Sequence, residues 1–323
     1  MRLERRGSVI KHLQIKRNYL QSKNPVGHEQ IRPVLVVLSG VFRGVYSGGY
    51  LTALHKNGYK DSFDHAVAVS TGGPGVLYFL GDNPEVGVTI YWEECLSGKF
   101  IPVHFLDGAK TLLSQLGIKS FGDRHLMDIE YLCKVFRGVE GNKAADLEAF
   151  LKSRTGCQVV VVRCHDGEGM LLDAKKLADP IEAFRAGIAL PGVSNGKVSI
   201  DDIEYEDGVG AMPCDIELIV RELNPTDILV MANRAEDDRS HVVEQLLTRW
   251  ATNDECDRLR QDFATREERF REGVDFLRNW QGRWGIIWAN DTIAAIETDA
   301  QKLQKAAKDA EAWMTRLIKE ETR

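Results

Sequence analysis

The sequence predicts an α/β fold: a three-layer α/β/α arrangement around a mainly parallel central sheet, with helices added at the C-terminus. Three observations carry this. Val34-Leu35-Val36-Val37-Leu38 is a short, β-branched apolar run that ends at Ser39-Gly40, the pattern of a strand buried on both faces. A helical stretch at 45–59 follows, then a second apolar strand at 63–69 and a short apolar helix through Leu80. That β-α-β-α order calls for parallel strands joined by right-handed crossovers. Beyond about Ala235, finally, strand composition disappears apart from Ile286-Ile287-Trp288, and charged amphipathic helices are expected at 254–280 and 292–318, covering the sheet and its edges.

The middle of the chain fills in the remaining elements. Helices are expected at 85–95 and 147–153, and 158–164 (Q-V-V-V-V-R-C) is a third buried strand. The stretch 180–189 reads as a helix with Pro180 at its first position, ended by Leu190-Pro191-Gly192. Residues 198–206 alternate apolar and polar side chains, as a strand with one face in water does. A helix over 214–223 then leads to a buried strand at 226–231. The expected organisation is a basic N-terminal extension at 1–31 and one α/β domain at 32–323, whose part from 234 to 323 is mostly helical.

Composition excludes several classes. The 323 residues carry a formal net charge of -6, which gives no support for nucleic-acid binding, since neutralising phosphates needs Lys and Arg. The charge is uneven: residues 1–32 sum to +6, leaving -12 for the rest. A basic arm on an acidic body suits either a solvated, partly disordered terminus or peripheral contact with an anionic membrane. The six cysteines form no C-x-x-C pair and no zinc-like set with histidine, so they read as reduced thiols, with no metal and no other cofactor expected. The first 20 residues lack the apolar core of a secretory signal. The longest uncharged stretch, 66–81, is broken by glycines and proline and falls short of the about 20 residues needed to span a bilayer. A cytoplasmic protein, at most peripheral to membrane, is the expectation.

Three local features carry chemistry. Ser70, in Ala68-Val69-Ser70-Thr71-Gly72-Gly73, sits where an apolar strand ends and a glycine-rich turn opens a helix, the context of a nucleophile elbow. The same context also suits a helix N-cap. Ser39-Gly40-Val41-Phe42-Arg43-Gly44 leaves the first strand at the same edge of the sheet, where its N–H groups could meet a phosphate or an oxyanion. It lacks the G-K-[ST] ending of a P-loop and the glycine spacing of a dinucleotide site. Asp207-Gly208 ends the strand at 198–206, and by itself such a pair is usually only a turn.

Taken in order, the three resemble the blocks of the patatin-like phospholipase family: a G-G-G-x-R-G oxyanion loop, a G-x-S-x-G elbow and a D-G-[GA] base. The first is matched at Gly40, Arg43 and Gly44, the second at Ser70 and Gly72, the third at Asp207 and Gly208. The stretches 183–191 and 208–213 also look like the family, and 286–313 resembles it more faintly. The resemblance implies a serine acyl hydrolase of phospholipase A or lysophospholipase type, acting on lipid or lysophospholipid esters. Ser70 would attack the carbonyl, Asp207 would take its proton without a histidine relay, and N–H groups of the loop from Gly40 to Gly44 would hold the oxyanion.

The departures from the family pattern are Val41 for a glycine, Ala68 for the first elbow glycine, and Val209 for a small residue beside the base. If position 41 needs a positive φ, a β-branched residue there is strained. Val209 would narrow the site. These departures keep open a catalytically weak or inactive lipid-binding protein on the same fold. A Ser–His–Asp hydrolase would need His241, the only histidine after Asp207. Arg43 would either hold a phosphate head group or brace the loop. Residues 97–123, with Phe100, Ile101, Val103, Phe105 and Leu106, are a candidate lid or a part of the core.

Overall fold

The computed structural model describes residues 1–22, 30–101, 127–190, 194, 197–238, 256–290 and 292–323, with the side chains of 256–263 left out. Nine strands form one sheet: β1 (Arg2–Arg6), β2 (Pro33–Val37), β3 (His65–Val69), β4 (Gly156–Arg163), β5 (Gly169–Asp173), β6 (Val198–Ile200), β7 (Ile203–Asp207), β8 (Asp227–Met231) and β9 (Arg283–Trp288). The centre runs β9-β8-β2-β3-β4, all parallel. Antiparallel strands close both sides, β1 against β9 and both β5 and β7 against β4.

The helices are α1 (Val9–Gln21), α2 (Gly44–Lys56), α3 (Gly72–Leu80), α4 (Pro84–Glu93), α5 (Ile129–Phe136), α6 (Leu147–Lys152), α7 (Ile181–Gly187), α8 (Ile216–Leu223), α9 (Cys256–Asn279) and α10 (Ala300–Glu321). Alternation along each strand divides the core in two. Leu35, Val37, Ala66, Ala68, Leu229 and Met231 face one apolar cluster with residues of α1, α2, α3 and α10. Val34, Val36, Val67, Val69, Ile228 and Val230 face the other, with residues of α8 and α9. Helix–sheet–helix is therefore the layering, as the double burial of the strands demands.

The N-terminal stretch is not a solvated arm. β1 pairs along the full length of β9, from Arg2 opposite Trp288 to Arg6 opposite Trp284. Ser8 caps α1 by accepting from the Lys11 N–H at 3.1 Å, and Val9, Ile10 and Leu13 of α1 are buried. The basic side chains meet the acidic body: Arg2 pairs with Glu236, Arg5 with Glu321, and Lys16 donates to Asp64 at 2.5 Å. Short-range periodicity could not reveal this, because β1 reads R-L-E-R-R and is held by its partner strand rather than by its own composition.

Other boundaries shift for local reasons. The stretch expected as one strand at 198–206 is a hairpin of β6 and β7, turned at Asp201 and Asp202 with φ of 49° and 63°. Two successive positive φ values make the tight turn that suits a twisted hairpin, and aspartate tolerates them. Pro180 caps α7 instead of opening it. α10 starts at Ala300, where Asp299 accepts from the N–H groups of Gln301 and Lys302 at 2.9 and 3.2 Å. The Pro191-Gly192 break and residues 102–123 of the candidate lid lie outside the described residues; Phe100 and Ile101 are buried in the first cluster. Among the described residues no helix is long and apolar enough to cross a membrane.

α2 leaves the loop at 39–44 and lies under α10, where Gly49 lets the two helices touch. A Cβ at position 49 would collide with the Ala307 carbonyl and come within 2.8 Å of the Ala310 Cβ. Gly49→Ala is expected to lower unfolding free energy by about 1–3 kcal/mol, the cost of overpacking a tight contact, read by denaturant titration. An unchanged midpoint would show that the helices separate freely.

Candidate active site

The meeting of Ser70 and Asp207 follows from strand register. Val160 of β4 pairs with Val69 of β3 on one side and Leu171 of β5 on the other. Val161 pairs with Asp207 of β7 and with Met170 of β5. β5 therefore occupies one edge of β4, while β3 and β7 share the opposite edge end to end. Where β3 leaves that edge after Val69, β7 takes it up at Asp207. Residue 70 thus abuts residue 207 although 137 positions separate them.

Local backbone then aims the side chains. Ser70 lies in the left-handed region at φ 50°, an uncommon conformation that turns the chain sharply out of β3 and into α3. Its carbonyl accepts the Gly73 N–H at 2.8 Å, which closes the turn. Gly72 is needed because any side chain there would strike the Val37 carbonyl of β2. Gly208 makes similar room beside Asp207, since a Cβ would stand 2.7 Å from Val160 Cγ1.

The Ser70 hydroxyl donates directly to Asp207 Oδ2 at 2.6 Å, with no histidine between them. Both residues are buried, at 7% and 5% exposure. The second carboxylate oxygen, Oδ1, accepts the Val209 N–H at 2.8 Å. Burial pushes the Asp207 pKa up to about 7, against the opposing pull of the Ser70 and Val209 hydrogen bonds and the Arg266 charge. Val209 serves the carboxylate through its backbone. Its side chain is buried in the apolar cluster that includes Val160, Met212 and Phe270.

The loop after β2 lies alongside. Val41 does adopt a positive φ, 53°, so this β-branched residue holds the strained conformation for which glycine is suited. The strain is over-determined by neighbours. Buried Asn233, just past β8, donates from Nδ2 to the Leu38 carbonyl at 2.7 Å and accepts the Ser47 N–H at Oδ1 at 3.0 Å, tying the loop's start to α2. The N–H groups of Gly40 and Val41 both donate to Thr71 Oγ1, at 3.1 and 2.9 Å. Phe42 N–H donates to the Ala295 carbonyl at 3.2 Å. Gly44 makes room for Tyr91, whose hydroxyl donates to the Thr71 carbonyl at 3.0 Å.

Arg43 braces this loop. Its side chain is buried, pairs with Asp238, and donates from Nε to the Ile293 carbonyl at 2.9 Å. It is thus committed to protein partners rather than presented to a head group. Asn233, Thr71 and Tyr91 were not singled out by sequence. A polar Asn directly after the apolar run Ile228 to Ala232 was a signal that could have been read; the roles of Thr71 and Tyr91 depend on contacts between separate elements. His241 lies outside the described residues. Among the described residues no group of three or more His, Cys, Asp or Glu is placed to hold a metal.

Residues 35–229 match the family model for patatin-like phospholipase, a span that holds the loop, the elbow and Asp207. The chain belongs to the patatin-like phospholipase family. Patatin-like phospholipases are lipid ester hydrolases, and this chain is a hydrolase acting on carboxylic esters of lipids. VipD and ExoU are among the solved structures similar to it. VipD from Legionella pneumophila is 12% identical with a TM-score of 0.47, over 90% of this chain and 67% of that one. ExoU, in its heterodimeric complex with SpcU from the type III secretion system of Pseudomonas aeruginosa, is 13% identical with a TM-score of 0.33, over 89% of this chain and 58% of ExoU. The patatin-like chain thus spans under two thirds of the ExoU chain. No curated protein matches it.

Replacing Arg43 removes the guanidinium from a buried carboxylate. Arg43→Met is expected to cost about 3–5 kcal/mol of stability, measured by chemical denaturation. Lys at 43 should recover only part, lacking the fork that reaches both Asp238 and the Ile293 carbonyl. A stable Arg43→Met protein whose KM alone rises for phospholipid would contradict the bracing role.

Proposed function

We propose that this patatin-like hydrolase is a phospholipase A or lysophospholipase that works through a Ser70–Asp207 dyad and an acyl-enzyme. The observation that carries the reading is the direct 2.6 Å hydrogen bond from the Ser70 hydroxyl to a buried carboxylate. As Ser70 Oγ bonds to the ester carbonyl carbon, its proton passes to Asp207 Oδ2, and the carbonyl oxygen becomes an oxyanion facing the N–H groups of Gly40 and Val41. Collapse of the tetrahedral intermediate breaks the bond to the leaving alcohol, which takes the proton from Asp207. Water then attacks the acyl-serine, gives a proton to Asp207, and the second collapse returns that proton to Ser70 as the fatty acid leaves.

The chemistry suits the environment. A general base works best with a pKa near the working pH, and Asp207 stands at about 7. The Val209 N–H on Oδ1 leaves Oδ2 as the oxygen facing the serine. The Ser70 backbone turn lifts the hydroxyl out of the strand end, and Gly72 lets that turn pack against β2.

Ser70→Ala and Asp207→Asn are each expected to lower kcat for phospholipid hydrolysis by about 10³-fold or more, as loss of a nucleophile or its base does. Either variant at wild-type rate would refute the dyad, and a folded wild-type chain that binds lipid vesicles without turnover would favour the non-catalytic lipid-binding reading.

The pH dependence has a definite sign. Only the ionised carboxylate accepts the proton, so kcat/KM should rise with pH through about 7 and level off above it. Stability should move the other way. The folded-state pKa is raised above the ordinary 3.8, so the folded state holds its proton more tightly than the unfolded chain does. The contribution is full below about 3.8 and is lost as pH climbs to about 7. Asp207→Asn should therefore be the more stable protein at pH 8, by a few kcal/mol at about 1.4 kcal/mol per pH unit, with the gap shrinking toward pH 4. An acid limb unmoved from the ordinary carboxylate range, with no stability gap, would contradict this assignment.

A further inference from the structure

We propose that the Thr71 hydroxyl is a place-holder in the oxyanion hole, and that an ester carbonyl enters only as the Thr71 side chain rotates out. The inference rests on the preceding reading of the loop at 39–44 and deepens it. It starts from where each N–H of that loop goes. Phe42 N–H donates to the Ala295 carbonyl, Arg43 N–H to the Gly40 carbonyl at 2.9 Å, and Gly44 N–H to the Phe42 and Val41 carbonyls. These three end on main-chain oxygens, so freeing them means taking the turn or its neighbour apart. Gly40 and Val41 N–H instead converge on one side-chain oxygen, Thr71 Oγ1, at 3.1 and 2.9 Å. A single χ1 rotation releases both.

Two N–H groups about 3 Å from a shared oxygen is the geometry that stabilises a tetrahedral oxyanion. Here a neutral hydroxyl fills it. The Thr71 oxygen has lone pairs for both donors and keeps its own proton, with Ser39 Oγ 3.3 Å away. The backbone of Thr71 does not move with it: its carbonyl is held by the Tyr91 hydroxyl, and the Ser70–Gly73 turn encloses it. The moving part is the side chain alone.

The place-holder accounts for both donors in the absence of a ligand. Two N–H groups, one of them on Val41 at φ 53°, would otherwise face the crevice unsatisfied. Asn233 and the Phe42–Ala295 hydrogen bond hold the loop itself, and the Thr71 hydroxyl only satisfies its two donors until a ligand replaces it. During reaction the exchange is favourable, because hydrogen bonds to an oxyanion are about twice as strong as those to a neutral oxygen. A ground-state carbonyl gains no such advantage and must compete with the hydroxyl. Thr71 is thus a positioning residue that acts through the loop donors, and its effect falls on entry to the transition state.

The test is the second-order rate of labelling by a fluorophosphonate probe, whose phosphoryl oxygen takes the oxyanion position, measured on the full chain. Thr71→Ala, which removes the competing oxygen, should label at least about fivefold faster than wild type, the scale of one or two net hydrogen bonds. Thr71→Val keeps the volume and lacks the acceptor, so it should also label faster and covers the case in which alanine unfolds the elbow. Thr71→Ser, which retains the hydroxyl, should label more slowly than Thr71→Ala. Mere structural damage would slow labelling in all three. Thr71→Ala and Thr71→Val at or below the wild-type rate would overturn the place-holder. Ser70→Ala in the same assay keeps the two ideas apart: persistent labelling there sinks the dyad, whereas its loss together with unaccelerated Thr71 variants sinks only the place-holder.

Discussion

The structure depends on a carboxylate buried against a serine hydroxyl at the point where two strands share one edge of a third. β3 and β7 both pair with β4 on the same side, and the handover from Val69 to Asp207 puts Ser70 end-on to the acid. No lone element could produce this arrangement. Burial raises the Asp207 pKa to about 7, which makes it basic enough to accept a proton near neutral pH. The same burial opposes folding whenever the group is ionised, so the site is assembled against a cost that the two surrounding apolar clusters must offset. Function and instability have one origin here.

The second constraint is backbone strain at the carboxyl ends of adjacent parallel strands. Val41 and Ser70 both sit at positive φ, which costs on the order of 1–3 kcal/mol each. Such conformations persist only when neighbours over-determine them. Asn233 locks the start of the loop to α2, Arg43 anchors it to the segment before α10, and Tyr91 fixes the carbonyl next to Ser70. Helices far from the chemistry therefore contribute to it by position. α10 holds α2 at Gly49, and α9 backs the turn after Asp207 through Arg269, which donates to the Ala211 carbonyl at 3.3 Å. The region after residue 229, beyond the span that matches the family, thus supports both halves of the site.

Much of this was legible in the residues because the informative patterns are local. Buried parallel strands announce themselves as β-branched runs, and β2, β3, β4 and β8 were all readable in that way. Ser70, Asp207 and the loop from Gly40 to Gly44 stood at strand ends with glycines beside them. Elements defined by partners rather than by composition were not legible. β1 is a charged strand held by β9 and by the Glu4 carboxylate, which takes both a bidentate Arg278 and the Trp288 indole N–H. β5 is half-buried and carries no periodic signal. The hairpin of β6 and β7 looked like one strand because alternation resumes directly after Asp201-Asp202, and the only trace of the turn is that pair of consecutive polar residues. Thr71 reads as a spacer in the elbow, and only the approach of two loops gives its hydroxyl two donors.

Everything in the proposed reaction passes through an acyl group on Ser70. The most direct measurement is mass spectrometry of the full chain after rapid acid quench of a reaction with a single phospholipid, followed by peptide mapping. A fatty-acyl mass increment is expected on the peptide containing Ser70, disappearing as the substrate is exhausted. An acyl group found on another residue, or turnover with no covalent intermediate on any peptide, would contradict it.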